Sequence, residues 1–144
     1  MIEPIIGKEF PNKVIPLIDQ AKTSIDIVVF DWRWYPNDPA NPVQLFNQAI
    51  VRAVRRGAKV RAIANNDEIV ATLKACGVLA KRLTAKNLIH CKLMIIDDEI
   101  LILGSHNYTQ SAFTMNYEVS IIVEGRENLT NFINFFNNLY NTYG

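Results

Sequence analysis

The sequence predicts an α/β domain in which a mixed β-sheet is flanked by helices on both faces. Residues 24–32 are β-branched and almost entirely apolar, which is typical of a central strand covered on both sides. Helical and strand-like segments then alternate through residues 42–83, as they do in parallel βαβ units. Farther on, the apolar runs 90–96 and 100–103 are joined by a short acidic segment, which indicates an antiparallel hairpin.

Local signals define the elements in the first half of the chain. Residues 11–21 have apolar side chains at helical spacing, and Pro16 predicts a kink or a later start. After a proline-containing loop, Asn41 is suited to cap a helix that begins at Pro42 and ends at Gly57. The next predicted elements are a strand at 59–64, a helix at 67–75 and a strand at 78–83.

The second half is predicted to add the hairpin, a strand at 117–123 and a closing helix at 128–143. The helix carries aromatic and aliphatic side chains on one side, which is typical of a helix that packs on a sheet. No repeat, low-complexity tract or Gly/Ser linker divides the chain, so residues 1–144 are expected to form a single domain.

The composition excludes few classes of function. The chain has 144 residues, of which 49% are hydrophobic and 20% are charged, as in an ordinary globular domain. Its formal net charge of +1 neither requires nor excludes a polyanionic partner, so a phosphate site must depend on local groups. Cys76 and Cys91 belong to no CxxC pair and are expected to be free thiols.

The sequence gives no sign of a membrane segment or a targeting segment. No apolar run approaches the roughly 20 residues that span a bilayer, so we expect no membrane insertion. The first residues lack the basic region and the long apolar stretch of a signal peptide. The sequence as written therefore predicts a cytoplasmic protein, and a removed leader would instead allow a secreted or periplasmic location.

The chemical signal lies in His90 and Lys92, and in Ser105 and Asn107 beyond the next strand. Because strand side chains alternate between faces, His90 and Lys92 are expected on the same side. A neutral imidazole can attack phosphorus, and a lysine can stabilise charge on the phosphoryl oxygens. Ser105 and Asn107 add a hydroxyl and an amide donor if the hairpin forms. This set can act on a phosphodiester without a metal, so we expect no metal or other cofactor.

The spacing of these groups resembles the HKD signature of the phospholipase D superfamily. The run from His90 to Asp97 has the pattern HxKxxxxD, and residues 104–109 have the pattern GSxNxT. Glu118 follows farther along the chain, as the superfamily pattern requires. The single motif and the chain length are most similar to the small bacterial HKD endonucleases. The resemblance implies a phospholipase D-like fold with one HKD half per chain.

The resemblance also implies a role for each motif residue. His90 would be the nucleophile and form a phosphohistidine intermediate. Lys92 and Asn107 would hold the non-bridging phosphate oxygens, with Ser105 hydrogen-bonded nearby. Glu118 would orient and polarise the imidazole.

Asp97 completes the implied catalytic set, and we expect it to support the site structurally without contacting the substrate. Enzymes of the superfamily bring two HKD motifs to one site, where the second histidine protonates the leaving oxygen. Because this chain carries one motif, the resemblance implies a symmetric homodimer with His90 of both chains facing across the two-fold axis. One histidine is then neutral while the other is protonated, which predicts a bell-shaped pH dependence of the rate.

Four residues are candidates for substrate binding. Trp32, Arg33 and Trp34 end the first predicted strand and could stack the bases of a single nucleic-acid strand. They could equally pack against the proline-containing loop or a partner chain. His106 occupies the variable position of the GSxN pattern, either as a bystander near the site or as an added phosphate contact.

The predicted function is a metal-independent phosphodiesterase, specifically a non-specific endonuclease that cleaves DNA or RNA. Basic clusters within 52–61 and 81–86 could follow a nucleic-acid backbone, or be solvated surface charge. A phospholipase D-type lipid hydrolase is the first alternative, although the chain has no amphipathic stretch suited to a lipid interface. The second alternative is a nucleic-acid-binding module without turnover, which would have no need of a nucleophile.

Overall fold

The computed structural model describes residues 1–83 and 86–143, which fold around one seven-stranded sheet. The strands are β1 (Ile2–Ile6), β2 (Ser24–Val29), β3 (Lys59–Ala64), β4 (Leu79–Arg82), β5 (Lys92–Ile96), β6 (Ile100–Gly104) and β7 (Val119–Glu124). The helices are α1 (Phe10–Asp19), α2 (Pro42–Arg55), α3 (Asp67–Ala75), α4 (Gln110–Thr114) and α5 (Thr130–Tyr143). Across the sheet the strands follow the order β1-β7-β6-β5-β2-β3-β4.

The sheet combines parallel and antiparallel pairing, as the sequence predicts. β2, β3 and β4 are parallel neighbours, connected through α2 and α3. β5 runs antiparallel to β2 and continues through the antiparallel strands β6 and β7, and β1 adds to β7 at the edge. β5 therefore lies between β2 and β6, and a site at its first residue can collect side chains from both neighbours.

Two apolar cores lie on opposite faces of this sheet. On one face α1, α2 and α3 cover buried residues such as Ile27 and Met94. On the other face Phe136 of α5 packs with Val28 and Leu93. Successive residues of one strand enter different cores because strand side chains alternate between faces. The predicted arrangement, with helices on both faces of a mixed sheet, is confirmed.

Local sequence signals begin and end the elements close to the predicted positions. The backbone N–H of Val43 donates to Oδ1 of Asn41 at 2.9 Å, which caps α2. Asp97 and Asp98 both have a φ of 54°, the left-handed conformation that a type I′ hairpin turn requires at its two central residues. The structure confirms the predicted strand 59–64 and the predicted helix 67–75.

The structure also shifts several predicted boundaries and adds short elements. The strand predicted at 24–32 ends at Val29, and the strand predicted from His90 begins at Lys92. β1 and α4 have no counterpart in the prediction, because each has only five residues and gives little periodic signal. β1 accommodates Pro4 because it is an edge strand, where a missing N–H donor costs little.

Candidate active site

Three strand ends meet at one edge of the sheet and bring the predicted chemical groups together. Val29, the last residue of β2, pairs with Lys92, the first residue of β5. Gly104 ends β6, the other neighbour of β5, at the same edge. The segments that continue from these ends, 30–31, 90–91 and 105–107, therefore lie beside one another.

His90 is exposed at this edge and lies beside the side chains of Phe30 and Lys92. Its ring centroid lies 4.8 Å from that of Phe30, and Nζ of Lys92 donates a hydrogen bond to its Nδ1 at 3.3 Å. The same Nζ lies 5.6 Å from the centroid of the Phe30 ring. His90 and Lys92 are thus neighbours in space as the sequence predicts, although His90 precedes the strand.

The contact with Lys92 favours one tautomer of a neutral imidazole. A lysine ammonium can only donate, so in a hydrogen bond with it Nδ1 of His90 is the acceptor and Nε2 carries the hydrogen. Attack through Nε2 requires the other tautomer, with an acceptor for the proton on Nδ1. Among the residues that the structure describes, no carboxylate bonds to His90.

Glu118 and Ser105 form a cluster of their own beside this edge. Oγ of Ser105 donates to Oε1 of Glu118 at 2.5 Å, and Nδ2 of Asn116 donates to Oε2 of Glu118 at 3.0 Å. The backbone N–H of Val119 donates to Oγ of Ser105 at 3.0 Å. Glu118 thus holds Ser105 and Asn116 within one chain, and its role in orienting the imidazole stays a prediction.

The position of Ser105 depends on a close approach of two strands at Gly104. A Cβ at Gly104 would overlap both the side chain and the backbone of Ser120 on β7. Glycine therefore lets the end of β6 lie directly against β7. This contact brings Ser105 next to Glu118.

Asn107 is fixed against the end of β2. The backbone N–H of Asp31 donates to Oδ1 of Asn107 at 3.1 Å. This bond uses the carbonyl oxygen of the amide, so the NH2 group remains as the donor that could reach a phosphate oxygen. Asn107 is half-buried, which limits the orientations that its amide can adopt.

Asp97 lies at the opposite end of β5 from His90, so its position is structural. Its carboxylate accepts hydrogen bonds from the backbone N–H groups of Thr23 (2.7 Å), Ser24 (3.0 Å) and Lys22 (3.0 Å), and so ties the hairpin turn to the start of β2. Burial by itself raises the pKa of Asp97, but these N–H donors outweigh it and hold the pKa below its usual value. The HxKxxxxD pattern thus includes a residue that stabilises the fold.

His106 is not positioned to bind substrate, which corrects that prediction. The side chain is 1% exposed, and its ring lies 4.6 Å from the ring of Phe10. Nε2 donates to the carbonyl oxygen of Gly7 at 2.7 Å, and Nδ1 accepts from the hydroxyl of Ser120 at 2.7 Å. Both ring nitrogens are therefore used inside the protein, and the bystander alternative is the one that the structure supports.

Trp32 is likewise structural and is not available to stack on bases. It is 1% exposed, and its Nε1 donates to Oδ1 of Asn47 at 2.7 Å. Arg33 is exposed and forms an ion pair with Asp31 at 2.8 Å. Arg33 and the half-buried Trp34 line a surface cavity of about 540 Å³, so these two remain candidates for substrate contact.

The two basic clusters lie at different ends of the sheet. Lys59 begins β3 at the edge opposite to His90, so the cluster at 52–61 is remote from the candidate site. Arg82 and Lys86 instead line a cavity of about 300 Å³ beside the segment that precedes His90. Of the two clusters, the second is therefore the one that lies near the candidate site.

Two residues that the sequence did not single out help to build this edge. Phe30 supports the His90 ring, and Asn65 follows β3 at the same edge. Nδ2 of Asn65 donates to the carbonyl oxygens of Phe30 and Ile89, both at 2.9 Å, and so connects the segments on either side of the site. A polar residue directly after a parallel strand is the signal that could have identified Asn65.

The edge as a whole combines an exposed imidazole, a neighbouring ammonium group, and hydroxyl and amide groups held close by. This is the composition of a site for phosphoryl-group chemistry, in which a nucleophile works beside groups that stabilise anionic oxygens. The chain belongs to the family described as "Cardiolipin synthase, PLD-like domain", whose model matches residues 14–140. It is therefore a member of the phospholipase D superfamily, as the HKD motif indicates.

Two solved structures share the whole fold. One is a phospholipase D family member, Nuc from Salmonella typhimurium, with a TM-score of 0.82 and 21% sequence identity. The alignment covers 100% of this chain and 97% of that chain. The other is NucT from Helicobacter pylori, with a TM-score of 0.80, 22% identity, and coverage of 99% and 97%. These similarities confirm the predicted phospholipase D-like fold.

Curated relatives match in sequence over only part of their length. The mitochondrial cardiolipin hydrolase of Xenopus tropicalis is 24% identical over 138 residues. The alignment covers 92% of this chain and 61% of that protein. The human mitochondrial cardiolipin hydrolase is also 24% identical, with 95% and 53% covered. The chain thus spans between half and two thirds of these relatives.

In the described ranges, none of the helices has both the length and the apolar character needed to cross a bilayer.

Proposed function

We propose that this protein is a metal-independent phosphodiesterase and, more specifically, an endonuclease that cleaves DNA or RNA through a phosphohistidine intermediate. The observation that carries the proposal is the exposed His90 imidazole, with the Lys92 ammonium 3.3 Å away at an open sheet edge. Ser105 and Asn107 are held at the same edge by Glu118 and by the Asp31 backbone. A pure binding surface would have no need of a nucleophile at this position.

In the proposed reaction, a ring nitrogen of His90 attacks the phosphorus atom and forms a P–N bond. The P–O bond to the leaving group breaks, and the leaving oxygen takes a proton from a second histidine. Water then gives up a proton to that second histidine and attacks phosphorus, which breaks the P–N bond and frees His90. Lys92 and the NH2 group of Asn107 stabilise the charge on the non-bridging oxygens in both steps.

The second histidine is the reason for proposing a homodimer. The sequence contains two histidines, His90 and His106. Since both ring nitrogens of His106 are bonded inside the protein, it cannot protonate a leaving group at the sheet edge. We therefore propose that His90 of a second chain is the general acid and that the active site lies on the two-fold axis. We propose that the second chain also provides the group that accepts a hydrogen bond from Nδ1 of His90.

Nucleic acid is the proposed substrate because the groups around His90 suit a phosphate backbone and bases. Arg82 and Lys86 provide cations on one side of the edge. Arg33 and Trp34 line the cavity of about 540 Å³ beyond the end of β2. Cations that follow phosphates, together with an aromatic ring on which a base can stack, are characteristic of single-strand binding.

A lipid phosphodiester is the second candidate. The curated relatives that match this chain are cardiolipin hydrolases, and the family model takes its description from cardiolipin synthase. The chemistry at phosphorus would be the same, and the two candidates differ in the group that the surrounding surface recognises. A direct comparison of the two substrates therefore distinguishes them.

The test is an assay of purified protein in excess EDTA with single-stranded DNA, plasmid DNA, single-stranded RNA and cardiolipin vesicles as parallel substrates. His90→Asn serves as the inactive control, and Lys59→Ala, at an exposed position at the end of the sheet opposite to His90, serves as the active control. Cleavage of nucleic acid by the wild type and Lys59→Ala, but not by His90→Asn, would support the proposal. Hydrolysis of cardiolipin alone would replace the nuclease with the lipid enzyme, and no turnover on any substrate would refute both.

A further inference from the structure

The cavity beyond the end of β2 adjoins the candidate active site and differs from it in chemical character. Its volume of about 540 Å³ lies within the range of roughly 300–1,000 Å³ that is usual for small-molecule sites. Asp31 belongs to the cavity wall, and its backbone N–H donates to Asn107. Thr109 and Gln110 continue the chain from Asn107 into the same wall. The group next to a phosphate that Asn107 holds can therefore enter this cavity.

Two buried amide side chains of α2 hold one wall of the cavity in place. Gln44 and Asn47 are 3% and 0% exposed. Oε1 of Gln44 accepts from the backbone N–H of Tyr35 at 2.8 Å, and Nδ2 of Asn47 donates to the carbonyl oxygen of Arg33 at 3.0 Å. Burial of a polar side chain costs free energy unless the side chain is hydrogen-bonded, and here the bonds go to the wall. The wall is thus fixed before a ligand binds, which lowers the entropic cost of binding.

The charges in the cavity wall disfavour a phosphate. The charged lining residues are one cation, Arg33, and two carboxylates, Asp31 and Glu68. Arg33 forms an ion pair with Asp31 at 2.8 Å. The hydrogen bond to Asp31 and the charge of Asp31 raise the pKa of Arg33, and the charge of Glu68 adds to this effect. Since negative charges outnumber positive ones, the wall favours a ligand that donates hydrogen bonds over an anion.

Glu68 is the carboxylate that is available to such a ligand. It is exposed in the first turn of α3, and within the described ranges its carboxylate has no ion pair. An ionised carboxylate can only accept, so it selects a ligand edge with N–H donors. Oδ1 of the neighbouring Asn66 accepts from the backbone N–H of Ile69, which leaves the NH2 group of Asn66 as a donor. The half-buried Trp34 adds an aromatic ring on which a planar group can stack.

Guanine is the nucleobase whose edge fits these groups. Its Watson–Crick edge presents two adjacent donors, N1–H and the N2 amino group, which the two oxygens of one carboxylate can accept. Beside them lies O6, an acceptor that an amide NH2 group can reach. Thymine and uracil instead present a single N–H between two carbonyl oxygens, which a carboxylate repels. Adenine and cytosine present one amino group beside a ring nitrogen that carries no hydrogen.

We infer that this cavity, which we call the base pocket (Asp31, Arg33, Trp34, Asn66 and Glu68), takes up an unstacked guanine from a nucleotide beside the cleaved phosphate. Glu68 accepts from the guanine N1–H and N2 groups, Asn66 donates to O6, and Trp34 stacks on the ring. The inference rests on the proposed function, because a base is bound here as part of a nucleic-acid substrate. It adds a base preference at one position, where the sequence predicts non-specific cleavage.

The test is to sequence the cleavage products of randomised single-stranded DNA and RNA pools in excess EDTA. Wild type is compared with Glu68→Gln, whose amide turns an NH2 group toward the guanine donors. Asp67→Asn is the matched control, since Asp67 is the adjacent exposed carboxylate of α3 and does not line the cavity. We expect wild type to cleave roughly 10-fold or more faster where guanine occupies one fixed position, as a bidentate contact to a base provides. Glu68→Gln should lose this preference and Asp67→Asn should keep it.

A binding measurement tests the base pocket without turnover. His90→Asn is titrated with short fluorescein-labelled oligothymidines that contain either no guanine or one central guanine, and fluorescence anisotropy gives the two dissociation constants. The oligonucleotide with guanine is expected to bind roughly 10-fold tighter, and addition of Glu68→Gln to His90→Asn should remove the difference. Because Glu68 is exposed, its substitution should leave the fold intact, which urea denaturation verifies.

The outcomes separate this inference from the proposed function. A guanine preference that Glu68→Gln removes and Asp67→Asn keeps supports the base pocket. Cleavage at equal rates beside every base, or a guanine preference that survives Glu68→Gln, overturns the base pocket and leaves the phosphodiesterase in place. Absence of cleavage of any substrate refutes the proposed function, and the anisotropy measurement then decides about the pocket by itself. Hydrolysis of phosphatidylethanolamine vesicles that Glu68→Gln abolishes would assign the cavity to a lipid ammonium group and overturn the inference.

Discussion

The two histidines of this chain lie at the same edge of the sheet and have opposite environments. His90 is exposed and receives one hydrogen bond, from a lysine whose charge can also meet a substrate. His106 is 1% exposed, and both of its ring nitrogens are bonded to groups of the protein. An imidazole is thus a candidate nucleophile at position 90, whereas at position 106 it joins two segments of the protein through hydrogen bonds.

The difference follows from what surrounds each ring. A buried polar ring costs free energy unless its nitrogens find partners, and Gly7 and Ser120 provide them for His106. His106 thereby connects the segment after β1 to β7, and its protons are not free to move to a substrate. His90 has an open side at the sheet edge, where a phosphorus atom can approach.

The largest expected effect on turnover is that of His90→Asn. Asparagine is polar and similar in size to histidine, but its amide nitrogen is not nucleophilic and cannot form the P–N bond of the intermediate. The rate of turnover should therefore fall below about a hundredth of the wild-type rate. Because His90 is exposed, the free energy of unfolding should change little. Steady-state kinetics and urea denaturation measure the two quantities. A variant that keeps more than a hundredth of the rate would show that the nucleophile is wrongly assigned.

Lys92→Met is expected to have the next largest effect. Methionine preserves most of the apolar stem but removes the ammonium group, and loss of one oxyanion-stabilising group typically lowers kcat ~100-fold or more. Lys86→Met is the matched control, since Lys86 is an exposed lysine on the same side but does not contact His90. We expect this control to weaken substrate binding modestly with little change in kcat. Equal losses of kcat in both variants would contradict the specific role of Lys92.

His106→Leu should reverse the pattern, with a large effect on stability and a small one on chemistry. The leucine leaves the Gly7 carbonyl and the Ser120 hydroxyl without their partner, which should cost about 1–3 kcal/mol of unfolding free energy. Turnover per folded molecule should stay within a few-fold of wild type. Urea denaturation and active-site titration provide the two readings. A stable variant that loses turnover would place His106 in the reaction and end the contrast with His90.

The smallest expected effect is a pH dependence of stability that depends on His106. Burial lowers the pKa of His106, and the hydrogen bond to Gly7 opposes this only in part. The unfolded chain takes up the proton as pH falls through about 6.5, while the folded chain resists it until lower pH. Stability should therefore decrease as pH falls below about 6.5, and the decrease should be smaller in His106→Leu. Urea denaturation at several pH values between 7.5 and 5.5 provides the comparison, and identical slopes would contradict it.

Much of the fold could be predicted because its signals are local. The capping side chain of Asn41, the alternation of apolar residues along β3 and the two turn aspartates lie within the segments that they define. The pairing of His90 with Lys92 is also nearly local, since the two residues are separated by one position. Features of this kind require no knowledge of which distant elements meet.

The errors concern side chains whose environment comes from distant parts of the chain. Trp32 is buried because Asn47 of α2 receives its N–H group, and His106 because Phe10 and Gly7 surround it. The residues next to Trp32 and His106 in the sequence do not predict these long-range contacts. The environment of Glu118 could be predicted only in part. Its contact with Ser105 follows from the pairing of β6 with β7, whereas any contact with a second chain has to be determined by experiment.

The most direct test of the central claim is to trap the covalent intermediate on His90. A 32P-labelled single-stranded oligonucleotide is mixed with the protein in EDTA, the reaction is quenched with alkali and detergent, and protein is separated by electrophoresis at neutral pH. The account predicts a labelled protein band that is stable to alkali, lost in mild acid, mapped to His90 by mass spectrometry and absent from His90→Asn. Cleavage of the oligonucleotide without any such band, or a band that persists in His90→Asn, would contradict it.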